Sequence, residues 1–198
     1  MTEVATSAAD AAETTMGRFV IDTRASRFTV RAFATGILSA MGHNPTIGIR
    51  TFSGGMKFDP EQLEASDFQL VIKSSSFGVQ DDIGDKDRRE MERLMNDEVL
   101  ETSKFPEIRY DTSEISVTKM GEALFSAKLD GSLTFHGVTR RESITTRVAF
   151  MGAMLRASGE FSLNQSNYGI KPVSVAGGAL KLKDELKFSF EIVARKQE

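Results

Sequence analysis

The chain has 198 residues, with 25 basic and 28 acidic side chains and a formal net charge of −3. Phosphate binding needs concentrated Lys and Arg, so this balance excludes a dedicated nucleic-acid surface. There is no cysteine, which excludes disulfides and thiol chemistry, and two histidines alone do not predict a transition-metal site. No run of about 20 apolar residues occurs, so the sequence predicts no membrane span.

The chain begins with a segment rich in Ala, Thr and acidic residues. We expect residues 1–17 to form a disordered tail and residues 18–198 to form one domain. The tail lacks the basic and apolar regions of a secretory signal. As written, the sequence predicts a cytoplasmic protein, and a periplasmic one if an upstream start was missed.

The most regular segment is Phe125–His136, in which apolar or small residues alternate with polar ones over twelve positions. A period of two predicts a long strand with one dry and one wet face. Such a face must be covered by partner strands, and closure into a barrel covers it without leaving edges. The same alternation recurs at 143–150, 155–163 and 185–192.

Shorter alternating runs precede this segment, and two of them change parity. The changes, at Arg50 and Thr51 and again before Ile115, predict β-bulges. Asp59–Glu61 predicts a helical turn, and Asp85–Asn96 predicts the one convincing helix, with Met91, Leu94 and Met95 on one stripe.

About eight main strands and short links together predict an all-β fold. We expect an extended eight-stranded antiparallel β-barrel with one short α-helix between strands. A two-sheet sandwich is the alternative.

Small residues fall midway along the inward faces of the long strands. They can leave an unfilled lumen, or they can serve strand curvature and close packing, and the pattern allows both interpretations. No ionised residue lies on the inward face of the four longest runs, so a ligand held there should be apolar. The small residues are Ala127, Gly131, Thr146, Ala157 and Gly159.

The segment Leu129–Thr139 resembles the G-x-L-T-x-H-G-V-T signature of the YceI-like family. Further matches follow the family order over about residues 18 to 195: Phe19–Asp22, Phe52–Gly54, Phe58–Pro60, Asp87–Arg88, Lys104–Ile108 and Tyr168–Ile170. The resemblance implies a lipocalin-like barrel whose tunnel holds a polyisoprenoid or another long amphiphile. Many family members carry a secretory signal, which this sequence lacks. The signature contains no catalytic residues.

We therefore expect a carrier or store, without catalysis, metal or cofactor, for a polyisoprenoid, an isoprenoid quinone or a similar lipid. A homodimer is compatible with this role. Leucine at Gly131 or Gly159 should block the tunnel of a folded barrel. The expected head-group contacts are His43 and Asn44. The expected lining residues are Phe28, Val30, Phe52, Leu70, Ile72, Phe125, Leu129, Gly131, Leu133, Gly159, Phe161, Phe188 and Phe190.

Two other functions fit the same fold. An enzyme acting on a lipophilic substrate would use His43 as acid or base, and it needs a carboxylate beside that ring. A stress-related interaction protein would have a barrel filled by its own side chains, with no void along its axis. His136 and the segment Asn164–Tyr168 are interpreted as turn residues, and Asp81–Asp87 as charges at a helix start.

Overall fold

The structure is a computed structural model that describes residues 17–36, 44–58, 66–175 and 180–197. Segments of alternating polar and apolar residues form most of it. Within those ranges every strand pairing is antiparallel. The strands are β1 (Gly17–Ile21), β2 (Arg27–Arg31), β3 (Ala34–Thr35), β4 (Thr46–Ile49), β5 (Phe52–Phe58), β6 (Asp67–Lys73), β7 (Phe77–Val79), β8 (Glu107–Lys119), β9 (Leu124–Phe135), β10 (Val138–Met151), β11 (Met154–Asn164), β12 (Ser174–Val175), β13 (Leu180–Leu182) and β14 (Glu185–Lys196).

The barrel closes through β14, which pairs with β11 on one side and with β1 and β2 on the other. The ring order is β1, β5, β6, β8, β9, β10, β11 and β14, so the predicted eight-stranded antiparallel barrel is confirmed. Residues 194–196 of β14 pair with β1, whereas residues 187–191 pair with β2. The strands β2, β4 and β7 therefore continue the wall beyond the end of β1.

The two parity changes have different structural causes. The predicted bulge in β8 is confirmed, because the register against β9 shifts between Thr112 and Glu114. The predicted bulge at Arg50 and Thr51 is wrong. The chain there leaves one set of neighbours for another, since β4 pairs with β2 and β7 whereas β5 pairs with β1 and β6.

The predicted helix forms as α1 (Asp85–Leu94) and continues as a π-helical segment, Met95–Val99. None of the residues in either segment is buried. This is the pattern of a helix that lies across one end of the barrel with only a stripe in contact. The predicted turn at Asp59–Glu61 lies outside the described residues. Across the described ranges, no helix has the length and apolar character that crossing a bilayer requires.

Two apolar clusters occupy the barrel. The larger contains Phe28 and Phe135 and extends to the end that carries α1. The smaller contains Phe150 and lies at the other end. Leu129 and Ala157 are only partly buried and pack against both clusters. The interior between the clusters is therefore less completely filled than either end.

Candidate functional site

A cavity lies inside the barrel, and we call it the barrel chamber. Its volume is about 120 Å³, and all eight strands of the ring border it. The chamber extends from Phe58 and Phe150 at one end to Phe77, Phe135 and Phe188 at the other. A barrel filled by its own side chains would leave no such space, so this cavity is the first candidate for a ligand site.

Most of the expected lining residues border this chamber. Val30 instead borders a second cavity, described below. Phe52 is buried beside the chamber, with its ring centroid 4.8 Å from that of Phe28 in an edge-to-face arrangement. The expected residues that border the barrel chamber are Phe28, Leu70, Ile72, Phe125, Leu129, Leu133, Phe161, Phe188 and Phe190.

Gly131 and Gly159 are not among the residues that border the chamber, and each makes room for an aromatic ring. A Cβ on Gly131 would lie 3.0 Å from Cζ of Tyr110, and one on Gly159 would lie 2.8 Å from Cζ of Phe190. These two glycines therefore serve close packing. The other small residues of that set, Ala127, Thr146 and Ala157, do border the chamber.

The polar groups at the chamber wall include two hydroxyls that are already bonded to the barrel itself. The hydroxyl of Tyr110 donates to the carbonyl oxygen of Leu129 at 2.7 Å, and that of Thr146 donates to the carbonyl oxygen of Ser158 at 3.0 Å. Burial, above all, raises the pKa of Tyr110 well beyond its usual range. The wall therefore offers a ligand mainly apolar contact, which suits a molecule without a polar group at this depth.

The second cavity lies beneath α1, and we call it the capped chamber. Its volume is about 160 Å³. The helical segments contribute Met91, Leu94 and Met95 to its wall, and the barrel contributes Val30 and Val79. Methionine side chains adapt to irregular or changing neighbours because they are unbranched. The sequence predicts this apolar stripe, but not that the stripe borders a cavity.

Side-chain hydrogen bonds attach α1 to the barrel. The guanidinium of Arg88 donates to the carbonyl oxygens of Val79 at 2.6 Å and Asp81 at 2.8 Å. The carboxylate of Glu92 accepts from the backbone N–H of Val79 at 3.0 Å. It also lies 3.5 Å from the guanidinium of Arg50. We call α1 and the π-helical segment the cap. No residue of the cap is fully buried, so these polar contacts add to the packing of its apolar stripe in holding it in place.

The segment that follows the cap is attached to the barrel through His136, which lies in the turn between β9 and β10. Nε2 of this ring lies 3.1 Å from a carboxylate oxygen of Glu101, and Nδ1 lies 3.3 Å from the carbonyl oxygen of Tyr168. Glu101 and His136 have left-handed φ angles of 42° and 50°, so both occupy turns. The contact with backbone agrees with the interpretation of His136 as a turn residue. The contact with Glu101 was missed, because nothing local relates two residues so far apart in sequence.

An inward-facing carboxylate was also missed. Glu142 lies opposite Gly131 on the neighbouring strand. It immediately precedes the alternating run 143–150. The hydroxyl of Tyr168, a completely buried residue, donates to this carboxylate at 2.6 Å. Burial, followed by this bond, raises the pKa of Tyr168. The pair is a polar contact inside the larger apolar cluster.

The expected head-group contacts lie in a loop of which only part is described. His43 lies outside the described residues, and the enzyme alternative depends on it. Asn44 is exposed, and its side-chain oxygen accepts from the backbone N–H of Ala34 at 2.8 Å. The segment Gln165–Tyr168 forms a 3-10 turn, as the turn interpretation predicts. Among the described residues, no group of three His, Asp or Glu side chains is placed to hold a metal ion.

Comparisons with known proteins give one family. A family model described as "YceI-like domain" matches residues 10–194. Among solved structures, BcnA of Burkholderia cenocepacia has a TM-score of 0.65 at 19% identity, covering 87% of this chain and 98% of that one.

Two further solved structures share the fold. A polyisoprenoid binding domain from Saccharophagus degradans, implicated in plant cell wall breakdown, has a TM-score of 0.64 at 14% identity, covering 90% of this chain and 98% of that one. A YceI protein of Campylobacter jejuni has a TM-score of 0.60 at 16% identity, with 79% and 88% covered. At these identities the likeness shows the fold alone. No curated protein matches the sequence significantly.

Proposed function

The chain belongs to the YceI-like family, and on that premise we propose that it binds a polyisoprenoid or a similarly long apolar molecule as a carrier or store. The observation that carries the proposal is the barrel chamber, a cavity inside a closed sheet whose wall is almost entirely apolar. A solved structure with the same fold is a polyisoprenoid binding domain. Catalysis is not part of the proposed role.

Apolar contact by itself is enough for useful affinity in such a cavity. Removing a methylene group from water contributes about 0.8 kcal/mol, so a chain of several isoprene units needs no special polar site. The hydroxyls of Tyr110 and Thr146 are already bonded to backbone, so a hydrocarbon placed against them strips no hydrogen bond from water. Discrimination between apolar ligands would then depend on the shape and length of the cavity.

Two neighbouring residues on β11 give a matched test of this proposal. The side chain of Ala157 borders the chamber, whereas the next residue, Ser158, faces outward and is exposed. Ala157→Phe should fill the chamber and abolish binding of a polyprenol, because the ring occupies the space that the ligand needs. Ser158→Phe adds the same ring outside and should leave binding unchanged.

The measurement is a titration of each protein with a polyprenol, followed by native mass spectrometry, with circular dichroism to show that both variants fold. Loss of the complex in Ala157→Phe alone supports binding inside the barrel. Equal binding by the two variants would remove the barrel chamber as the site.

A further inference from the structure

The two chambers lie end to end along the barrel. On β14, Leu186 borders the capped chamber, Phe188 borders both chambers, and Phe190 borders the barrel chamber. On β4, Ile47 borders the capped chamber and Ile49 the barrel chamber. Alternate residues of one strand share a face, so each strand passes directly from one cavity to the other.

Three phenylalanine rings separate the chambers, since Phe77, Phe135 and Phe188 each border both of them. The volumes are about 120 Å³ and 160 Å³. An engineered cavity of about 150 Å³ holds a molecule the size of benzene. Each chamber by itself therefore has room for about one isoprene unit. A longer chain needs both chambers and must cross the layer of rings.

Of the three rings, that of Phe188 is the one best able to move. Phe77 and Phe135 are 7% and 4% exposed, and the ring of Phe135 packs against buried Tyr168 with centroids 5.5 Å apart. Phe188 is only partly buried, and its ring stacks on that of Phe161 at 4.9 Å with an interplanar angle of 11°. A phenylalanine ring has no polar atom, so moving it to another rotamer breaks no hydrogen bond.

We infer that Phe188 determines the length of apolar chain that the protein holds. With the ring in place, the barrel chamber is closed and accepts a short chain. With the ring turned away, the two chambers become one tunnel that accepts a long chain. This inference rests on the proposed function and adds to it a residue that sets specificity.

The test is a competition between two isoprenoid alcohols at equal concentrations, prenol with one isoprene unit and geraniol with two. One chamber has room for the first, whereas the second needs both. Native mass spectrometry gives the ratio of the geraniol complex to the prenol complex, which does not depend on how much of a variant is folded. Phe188→Leu should raise this ratio about fivefold, the factor expected when the stacked pair with Phe161 no longer has to be broken. Phe188→Trp should lower this ratio.

Phe33→Leu is the matched control, because it makes the same substitution at a half-buried ring that borders neither chamber. It should leave the ratio close to that of the wild type. A ratio unchanged in both Phe188 variants, or changed equally by Phe33→Leu, would overturn the inference while the proposed function stands. A wild-type protein that binds neither alcohol would overturn the inference, and one that also binds no polyprenol would overturn the proposed function.

Discussion

The barrel chamber and the capped chamber share an apolar lining but have different walls. The barrel chamber is enclosed by strands whose backbone groups bond to their neighbours around a closed ring. The capped chamber is covered on one side by α1 and the π-helical segment, neither of which contains a buried residue. A hydrogen-bonded sheet opens only at high free energy, whereas an element with few buried contacts opens locally at much lower free energy. The capped end is therefore the better candidate for ligand entry.

The largest effect should come from a change inside the barrel wall. Gly131→Leu places a Cβ 2.5 Å from the carbonyl oxygen of Asp111 and 3.0 Å from Cζ of Tyr110. Neighbouring backbone cannot yield without breaking the ladder, so we expect a loss of about 3 kcal/mol or more in the free energy of unfolding. From the sequence, Gly131→Leu was expected to give a folded barrel with a blocked tunnel. From the structure, we expect a destabilised barrel instead.

Urea unfolding measures this effect, with Gly121→Ala as the control. A Cβ on Gly121 meets its nearest neighbour at 3.6 Å, an ordinary contact, so this variant should unfold within about 0.5 kcal/mol of the wild type. A Gly131→Leu protein with the wild-type midpoint would show that the wall is looser than its contacts imply.

A smaller effect should follow from loosening the cap. Arg88→Ala removes two hydrogen bonds to the backbone of Val79 and Asp81, each of which uses a charged donor. We expect a cost of about 2 kcal/mol in the stability of the cap. Hydrogen exchange of the α1 amides should become faster, and that of the β14 amides should stay as in the wild type.

Arg89→Ala is the control for the cap, because Arg89 is the next residue on α1 and is exposed. It should leave exchange in α1 unchanged. Equal acceleration in α1 and β14 after Arg88→Ala would mean that the cap and the barrel open as one unit.

The smallest effect concerns pH. The bond from Lys104, and after it the charges of Lys104 and His136, hold the pKa of Glu101 below its usual value. A lowered folded-state pKa stabilises the protein above the unfolded-state pKa, and this stabilisation is lost as pH falls through the folded-state pKa. The thermal midpoint should therefore fall as pH decreases below about 4.

Glu101→Gln should make that decrease shallower, since the substituted side chain does not titrate. The decrease should not disappear, because Asp22 and Asp130 also have lowered pKa values. Thermal midpoints of both proteins between about pH 6 and pH 3 provide the measurement. Curves that remain parallel over this range would exclude a contribution from Glu101. The effect should shrink in salt, since the cationic partners of these carboxylates, Lys104 among them, are exposed.

The sequence predicted the barrel because alternation is a local property of each strand. The alternation in the run that ends at Phe135 by itself shows which residues share the buried face, and the same holds for the run through Phe188. The shift at Arg50 was misinterpreted because a bulge and a change of strand partners produce the same parity change. Only pairing between distant segments distinguishes the two.

The placement of the site depended on contacts that sequence does not encode locally. Gly131 and a space-making alanine look alike in the pattern, yet the ring of Tyr110 from a neighbouring strand takes the room at Gly131. Phe77 follows three serines and belongs to no alternating run, so its position between the chambers had no sequence signal. Phe135 did have a sequence signal, because it is the last apolar residue of the longest alternating run.

The most direct test of the central claim, that the barrel holds a long apolar chain, is native mass spectrometry of the purified wild-type protein. The account predicts an added mass of one ligand per chain that organic solvent releases, and that is identified after extraction as an isoprenoid or a similar lipid. A folded protein with the mass of the chain alone, unchanged after addition of polyprenols and isoprenoid quinones, would contradict it.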